Sequence, residues 1–291
     1  MAGSYFDSTQ PLSCIQHGFV RAVDGTITTF DPGNGPPRLV NTATTGINDL
    51  GQVVGFYREY DGNCAFVAQH GFVRDSAGAF TSLDPPSGSD LQLVAINNDA
   101  SFTGYYLNAS YHGVVGTTHA QLTTFDPPGA VNTFPSAIND RGIITGYYMD
   151  NEGTHGFLRN TRGKLSKFDV PSAQKTFASG ISSKGLITGS YRDTNAVLHG
   201  YVRMRDGTIA TFDPTGSTST LPFGISPDGL IVGEYTDANH RIHGFLRRST
   251  GAIKSFDVSG AFSTAGIAAN NFATISGTYF HDHNHGFVRI K

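Results

Sequence analysis

Three histidines at alternate positions, His281, His283 and His285, are the densest set of potential metal ligands in this chain. On a β-strand, residues two apart share a face, which puts three imidazoles on one side and turns Asp282 away. That spacing suits weak binding of Zn or Ni, with His281 and His283 as the added ligands. The alternative is a loop in which both are solvated and only His285 has a structural task. Glu234 is a second candidate. It sits in the middle of a Gly-x-Tyr unit where other copies carry Ser4, Phe56, Tyr105, Tyr147, Ser190 and Thr278. Within a strand near a loop, burial raises the pKa of a carboxylate toward acid–base work. Pairing with Arg241 or Arg192 is the structural alternative. His240, His283 and Tyr105 complete the acid–base candidates, and Arg58, Glu59, Tyr60, Tyr147, Arg192 and Arg241 the substrate-binding ones. Tyr111 and Phe56 add aromatic surface for a sugar or another flat ligand.

These residues sit on a repeat. His-Gly pairs occur at His17, His70, His112, His155, His199, His243 and His285, spaced by 53, 42, 43, 44, 44 and 42 residues. Phe-Asp or Leu-Asp recurs at Asp31, Asp84, Asp126, Asp169, Asp213 and Asp257. Gly-x-Tyr units and segments ending at Ile47, Ile96, Ile138, Ile181, Ile225 and Ile267 keep their order between them. Seven histidines on seven repeats lie too far apart for one ion. A residue that recurs in every repeat instead makes one local hydrogen bond in each, here to a turn Asp or a carbonyl. The Asp of Phe-Asp-Pro reads as a turn cap, and the repeated Phe and Tyr as packing residues.

One repeat reads as four strands. Residues 176–181 are small, and Ser182-Ser183-Lys184-Gly185 is a turn. Residues 186–191 alternate at period two, His199–Arg203 follows a loop, and Asp206-Gly207 is a hairpin signal before residues 208–213. Four strands in about 40–45 residues is the period of a propeller blade. The Ile strand, the smallest, is expected innermost and the Phe-Asp strand outermost. The expectation is an all-β, single-domain β-propeller over residues 1–291, with four-stranded antiparallel blades. Six blades are favoured and seven are the alternative. In the six-bladed reading, residues 26–31 complete the C-terminal blade and close the ring, leaving a surplus hairpin in residues 1–21.

The pattern Ala137-Ile138-Asn139-Asp140-Arg141-Gly142-Ile143-Ile144-Thr145-Gly146-Tyr147-Tyr148 … His155-Gly156-Phe157-Leu158-Arg159 resembles the HAF-type "probable extracellular repeat" proteins of bacteria. The Ser226-Pro227-Asp228-Gly229 turn is similar to blades of TolB-like propellers. The resemblance implies a propeller and a secreted or envelope setting, and it assigns no catalytic residue. Residues 1–7 have neither a basic start nor an apolar stretch, which predicts no signal peptide and keeps a cytoplasmic setting as the alternative.

Composition agrees with strands and turns. Of 291 residues 36 are Gly, 21 Phe and 12 Tyr, and only 15 % are charged. Long helices need charged outer faces and tolerate Gly poorly, and this aromatic content can build a core, which disfavours disorder. Net charge is −3 with no basic block, so a nucleic-acid surface is not indicated, and no apolar run predicts membrane insertion. Cys14 and Cys64 pair if the N-terminal hairpin lies beside the first full repeat; otherwise they are two free thiols. No nucleophile elbow, P-loop, dinucleotide glycine fingerprint or cysteine-pair zinc spacing occurs.

Function is expected where the repeat is broken, on the face bearing the loops after the second and fourth strands. The leading expectation is binding of a small molecule or glycan there. A lyase, cyclase or hydrolase without organic cofactor is the alternative, with a divalent metal as an option. A protein-interaction scaffold, homo-oligomers included, is the third.

Overall fold

A computed structural model describes residues 1–6, 15–32, 39–61, 63–117, 122–270 and 272–289. These residues form strands and turns with no helix. The chain divides into two compact units, Met1–Gly142 and Ile143–Lys291. The first holds β1 (Ala2–Phe6), β2 (Gln16–Arg21), β3 (Ile27–Phe30), β4 (Leu39–Ile47), β5 (Val53–Tyr60), β6 (Phe66–Arg74) and β7 (Phe80–Leu83). It continues with β8 (Ser89–Ile96), β9 (Ser101–Asn108), β10 (Ser110–Thr117), β11 (Thr123–Phe125) and β12 (Asn132–Ile138). The second holds β13 (Ile144–Met149), β14 (Thr154–Arg159), β15 (Leu165–Phe168), β16 (Lys175–Ile181), β17 (Ile187–Arg192), β18 (Leu198–Arg203) and β19 (Ile209–Phe212). Then follow β20 (Ser217–Ile225), β21 (Ile231–Asp237), β22 (Ile242–Arg247), β23 (Ile253–Phe256), β24 (Ser263–Ala269), β25 (Ile275–Phe280) and β26 (Asn284–Arg289).

The repeat maps onto antiparallel meanders. β4–β7 and β8–β11 are such sheets in the first unit; in the second, the meanders β16–β19 and β20–β23 belong to larger sheets, β14 pairing with β16 and β22 with β24 in parallel. Small residues are required where strands crowd. A Cβ at Gly189 of Gly-x-Tyr would overlap the Phe177 carbonyl across the β16–β17 ladder, where the register slips by one residue at a bulge. A Cβ at Gly200 of His-Gly would collide with the ring of Phe212 on β19. Apolar third-strand residues, Phe72 in the first unit and Phe157, Tyr201 and Phe245 in the second, are fully buried.

Within each unit, successive meanders stack by one recurring contact. The fourth-strand Phe lies against the third-strand aromatic of the next meander, and that strand's Arg caps its ring. Phe30 meets Phe72 at 6.1 Å between ring centroids, with the Arg74 guanidinium 5.0 Å above Phe30. Phe212, Phe245 and Arg247 repeat this at 5.9 and 4.9 Å, and Phe256, Phe287 and Arg289 at 6.0 and 4.9 Å. Each Arg–ring contact contributes about 0.5–2 kcal/mol, the upper end when desolvated.

The N-terminus departs from expectation. β3 pairs with β2, and β2 with β1, in a three-stranded sheet of their own. β24–β25–β26 takes no strand from residues 26–31. The proposed closure by that strand is corrected, and residues 1–6 and 16–21 are the partners of β3 rather than a surplus. The reason lies in local pairing: the turn at Asp24-Gly25 returns β3 onto β2 before any distant edge competes. Cys64 is disulfide-bonded, whereas Cys14 lies outside the described residues.

Candidate functional site

Turns alternate ends along a meander, so the loops after the second and fourth strands share one end of each sheet. The His-Gly histidines stand at this end. In six repeats Nδ1 donates to the Asp of the Phe-Asp pair fourteen residues on, at 2.5–3.0 Å: His17–Asp31, His70–Asp84, His112–Asp126, His155–Asp169, His199–Asp213 and His243–Asp257. A carboxylate only accepts, which places the proton on Nδ1. The Tyr of each Gly-x-Tyr lies over the imidazole, as in Tyr191–His199 at 5.1 Å and Tyr235–His243 at 5.1 Å. In three repeats the same Asp also accepts from a threonine on the next first strand, at 2.5–2.6 Å: Thr42, Thr133 and Thr220. The Asp, expected as a turn cap, thus ties three strands together through side chains. These six histidines hold the loop ends in place.

In the second unit the other nitrogen of the ring also meets acid. His155 Nε2 is 3.2 Å from Asp150, and His243 Nε2 is 3.4 Å from Asp237. The backbone N–H of Arg241 holds the Asp237 carboxyl below its ordinary range, and that of Val197 does the same for Asp193. At Asp150 burial pushes upward, but N–H donors from Glu152 and Gly153 prevail and its pKa is lowered. Asp150, Glu152 and His155 bring ligand atoms within 4.8 Å of one another. The Lys167 ammonium already stands 3.4 Å from His155 Nε2 and 3.7 Å from Glu152, so a cation of the protein's own neutralises this group.

The C-terminal histidines are arranged otherwise than expected. β25 ends at Phe280 and β26 begins at Asn284, so residues 281–283 form a bend rather than a strand. Asp282, though exposed, turns toward the imidazoles rather than away from them. Its Oδ1 lies 2.9 Å from His283 Nδ1, 2.9 Å from His285 Nε2 and 3.7 Å from His281 Nδ1. The hydrogen bond from His285 dominates in holding the Asp282 pKa far below the usual carboxylate range. The compact trio is therefore Asp282, His283 and His285; His281 is displaced to its edge, and the two expected metal ligands do not converge as a pair.

Glu234 lies on β21, opposite Leu221 of β20 and Gly244 of β22. It is half-buried, and desolvation raises its pKa. The arginines expected to pair with it are engaged elsewhere. Arg241 Nη2 donates to the Ala261 carbonyl at 3.0 Å, and Arg192 Nε to the Ala196 carbonyl at 3.2 Å. The Glu234 carboxyl makes no hydrogen bond or ion pair among the described residues. His240 is an exposed turn residue at φ 63°, its N–H bonded to the Asp237 carbonyl. It shares the 237–241 turn with Arg241.

In the first unit, Arg58 Nε donates to Gln69 at 2.7 Å and its guanidinium lies 5.2 Å from the Phe56 ring. Glu59 and Tyr60 follow it on β5, Tyr60 edge-on to Phe66. Tyr105 belongs to a tighter group. Its ring meets Tyr111 at 5.7 Å and Phe134 at 5.3 Å, Tyr111 meets Phe134 at 5.0 Å, and the Tyr105 hydroxyl donates to Gln92 at 2.8 Å. All three rings are half-buried, Tyr111 and Phe134 near the starts of β10 and β12 and Tyr105 within β9. Phe134 and Gln92 escape sequence reasoning because they occupy first-strand positions read as uniformly small. Tyr111 carries a usable signal: other repeats place Gln16, Gln69, Thr154, Leu198, Ile242 or Asn284 before His-Gly. In the second unit Tyr147 packs edge-on to Phe177 at 5.2 Å, and burial raises its pKa.

The fold has solved counterparts. The β-propeller domain of the Trilobed protease from Pyrococcus furiosus aligns with a TM-score of 0.68 at 10 % identity, covering 94 % of this chain and 84 % of that one. A streptogramin B lyase aligns at 0.60 and 14 % identity, covering 94 % and 87 %. TolB from Acinetobacter baumannii aligns at 0.59 and 14 %, covering 87 % and 61 %. At these identities the likeness shows the fold alone, an all-β fold of the β-propeller class. No family model matches the chain, and no curated protein matches it.

Proposed function

We propose that the chain binds a small molecule or glycan at the loop-bearing ends of its strands. The observation that carries this reading is the half-buried Tyr105–Tyr111–Phe134 group with its hydroxyl–amide edge at Gln92. Aromatic faces stack on the apolar faces of sugars and flat rings, and nearby polar groups set orientation. The Tyr105–Phe134 pair recurs as Tyr147–Phe177, but Tyr111 and Gln92 enlarge it only here, while the histidines around it are committed to structure. Isothermal titration with a panel of oligosaccharides and aromatic metabolites tests it. A ligand that loses about tenfold in affinity on Tyr111→Ala supports the reading. A panel without binders, or an affinity indifferent to Tyr111, opposes it.

An acid–base enzyme without organic cofactor is the second reading. It is favoured by Glu234, an unpaired carboxyl with a raised pKa. Turnover abolished by Glu234→Gln with ligand binding retained would support it. Turnover that persists in this variant would remove Glu234 from the chemistry. We also infer a secreted or envelope setting, because structural disulfides persist in oxidising compartments and Cys64 is disulfide-bonded.

A further inference from the structure

The opposite end of the second unit holds a cavity of about 420 Å³ between the β20–β23 and β24–β26 meanders. Tight turns after first and third strands gather there, away from the loops just described. Its wall is apolar, formed by Leu230, Leu246 and the buried Ile275, and its rim is basic, formed by Arg248, Lys254 and Arg289. We infer that this cavity is an anion site for a small molecule that carries a phosphate, sulfate or carboxylate on an apolar body.

Three observations support it. First, two of the cations break the repeat. Five residues after the His of His-Gly, the other repeats have Ala22, Asp75, Thr117, Asn160, Met204 and Ile290, where this one has Arg248. Two residues before the Phe of Phe-Asp they have Thr28, Ser166 or Ala210, where this one has Lys254. The turn alone requires neither charge. Second, the cations have no acidic partner. The one carboxylate on the rim, Asp228, is paired with Lys184 at 3.1 Å. Arg248 and Lys254 make no side-chain hydrogen bond or ion pair among the described residues, and Arg289 keeps a buried Nη1 without a hydrogen-bond partner. Third, register holds the cations together. Lys254 lies opposite Leu246 across the β22–β23 ladder, Arg248 begins the turn that joins those strands, and Arg289 comes from β26 of the next meander. Like charges brought to one rim repel, and a bound oxyanion relieves that repulsion through charge-assisted hydrogen bonds. The apolar wall selects for an attached hydrocarbon or ring.

The test is titration calorimetry of the full chain at low and physiological salt with phenyl phosphate, benzoate, inorganic phosphate and phenol. Phenyl phosphate or benzoate should bind more tightly than both phenol and inorganic phosphate, and binding should weaken with salt. Arg248→Gln and Lys254→Gln, both at exposed positions, should each weaken it about tenfold with the melting temperature unchanged. Absence of binding by both aromatic anions, or affinities unaltered in the two variants, overturns the proposal. Binding that depends on Tyr111 rather than on these cations also overturns it, and would assign the ligand to the loop end instead.

Discussion

His199 shows how one local arrangement can absorb several residues that look reactive in a sequence. Its Nδ1 donates to Asp213, Tyr191 covers the ring, and Thr220 reaches the same carboxylate. Asp213→Ala leaves two donors without an acceptor and should destabilise by about 1 kcal/mol, the low end of such losses because the carboxylate is partly exposed. Asp228→Ala breaks only an exposed pair with Lys184 and should change stability by no more than about 0.5 kcal/mol. Urea titration of both variants checks the contrast. Glu234 has the opposite sign to the aspartates of these loops. Its folded pKa is raised by burial, so the stability tied to its neutral form is complete below the ordinary glutamate range and lost as pH rises through the folded value. Glu234→Gln should therefore melt about 1–3 °C higher than the parent at pH 7–8 and at the parent's temperature in acid. For Asp193 and Asp237 the folded pKa is depressed, so their contribution is present above the ordinary aspartate range and lost as pH falls. Glu234 was legible as a departure from its repeat, whereas the turn of Asp282 toward the imidazoles was not. Alternation describes strands, and residues 281–283 are a bend.

Among elements, the third and fourth strands carry the stacking of the fold. Gly200 exists because the Phe212 ring lies over it, and Phe212 is in turn covered by Phe245 and Arg247 of the following sheet. Gly200→Ala should cost about 1–3 kcal/mol by overpacking, measured as a lower urea midpoint with unchanged slope. The order of strands and their hairpins were legible, because each depends on residues near in sequence and recurs in step. The fate of the N-terminal strands was not. Whether residues 26–31 join β2 or a distant edge turns on competing pairings that a repeat count treats as equal. The Asp24-Gly25 turn decided it, since a local hairpin closes at lower entropic cost than a ladder across the chain. The Tyr105–Tyr111–Phe134 group was half legible. Tyr105 and Tyr111 stand out in the sequence, but Phe134 meets them only through the packing of one sheet on the next.

Across the whole molecule, departures from the repeat fall at both ends of the strands. The aromatic group lies at the loop ends of the first unit, and the basic cavity at the turn ends of the second. The repeated geometry within each unit is occupied with stacking and with holding loops, which leaves the exceptions to do the binding. The most direct test compares the affinity of the best glycan or metabolite ligand for the parent, Tyr111→Ala and Arg248→Gln, with folding verified by melting temperature. A loss of about tenfold is expected for Tyr111→Ala and no change for Arg248→Gln. Equal affinity in the parent and Tyr111→Ala would contradict it.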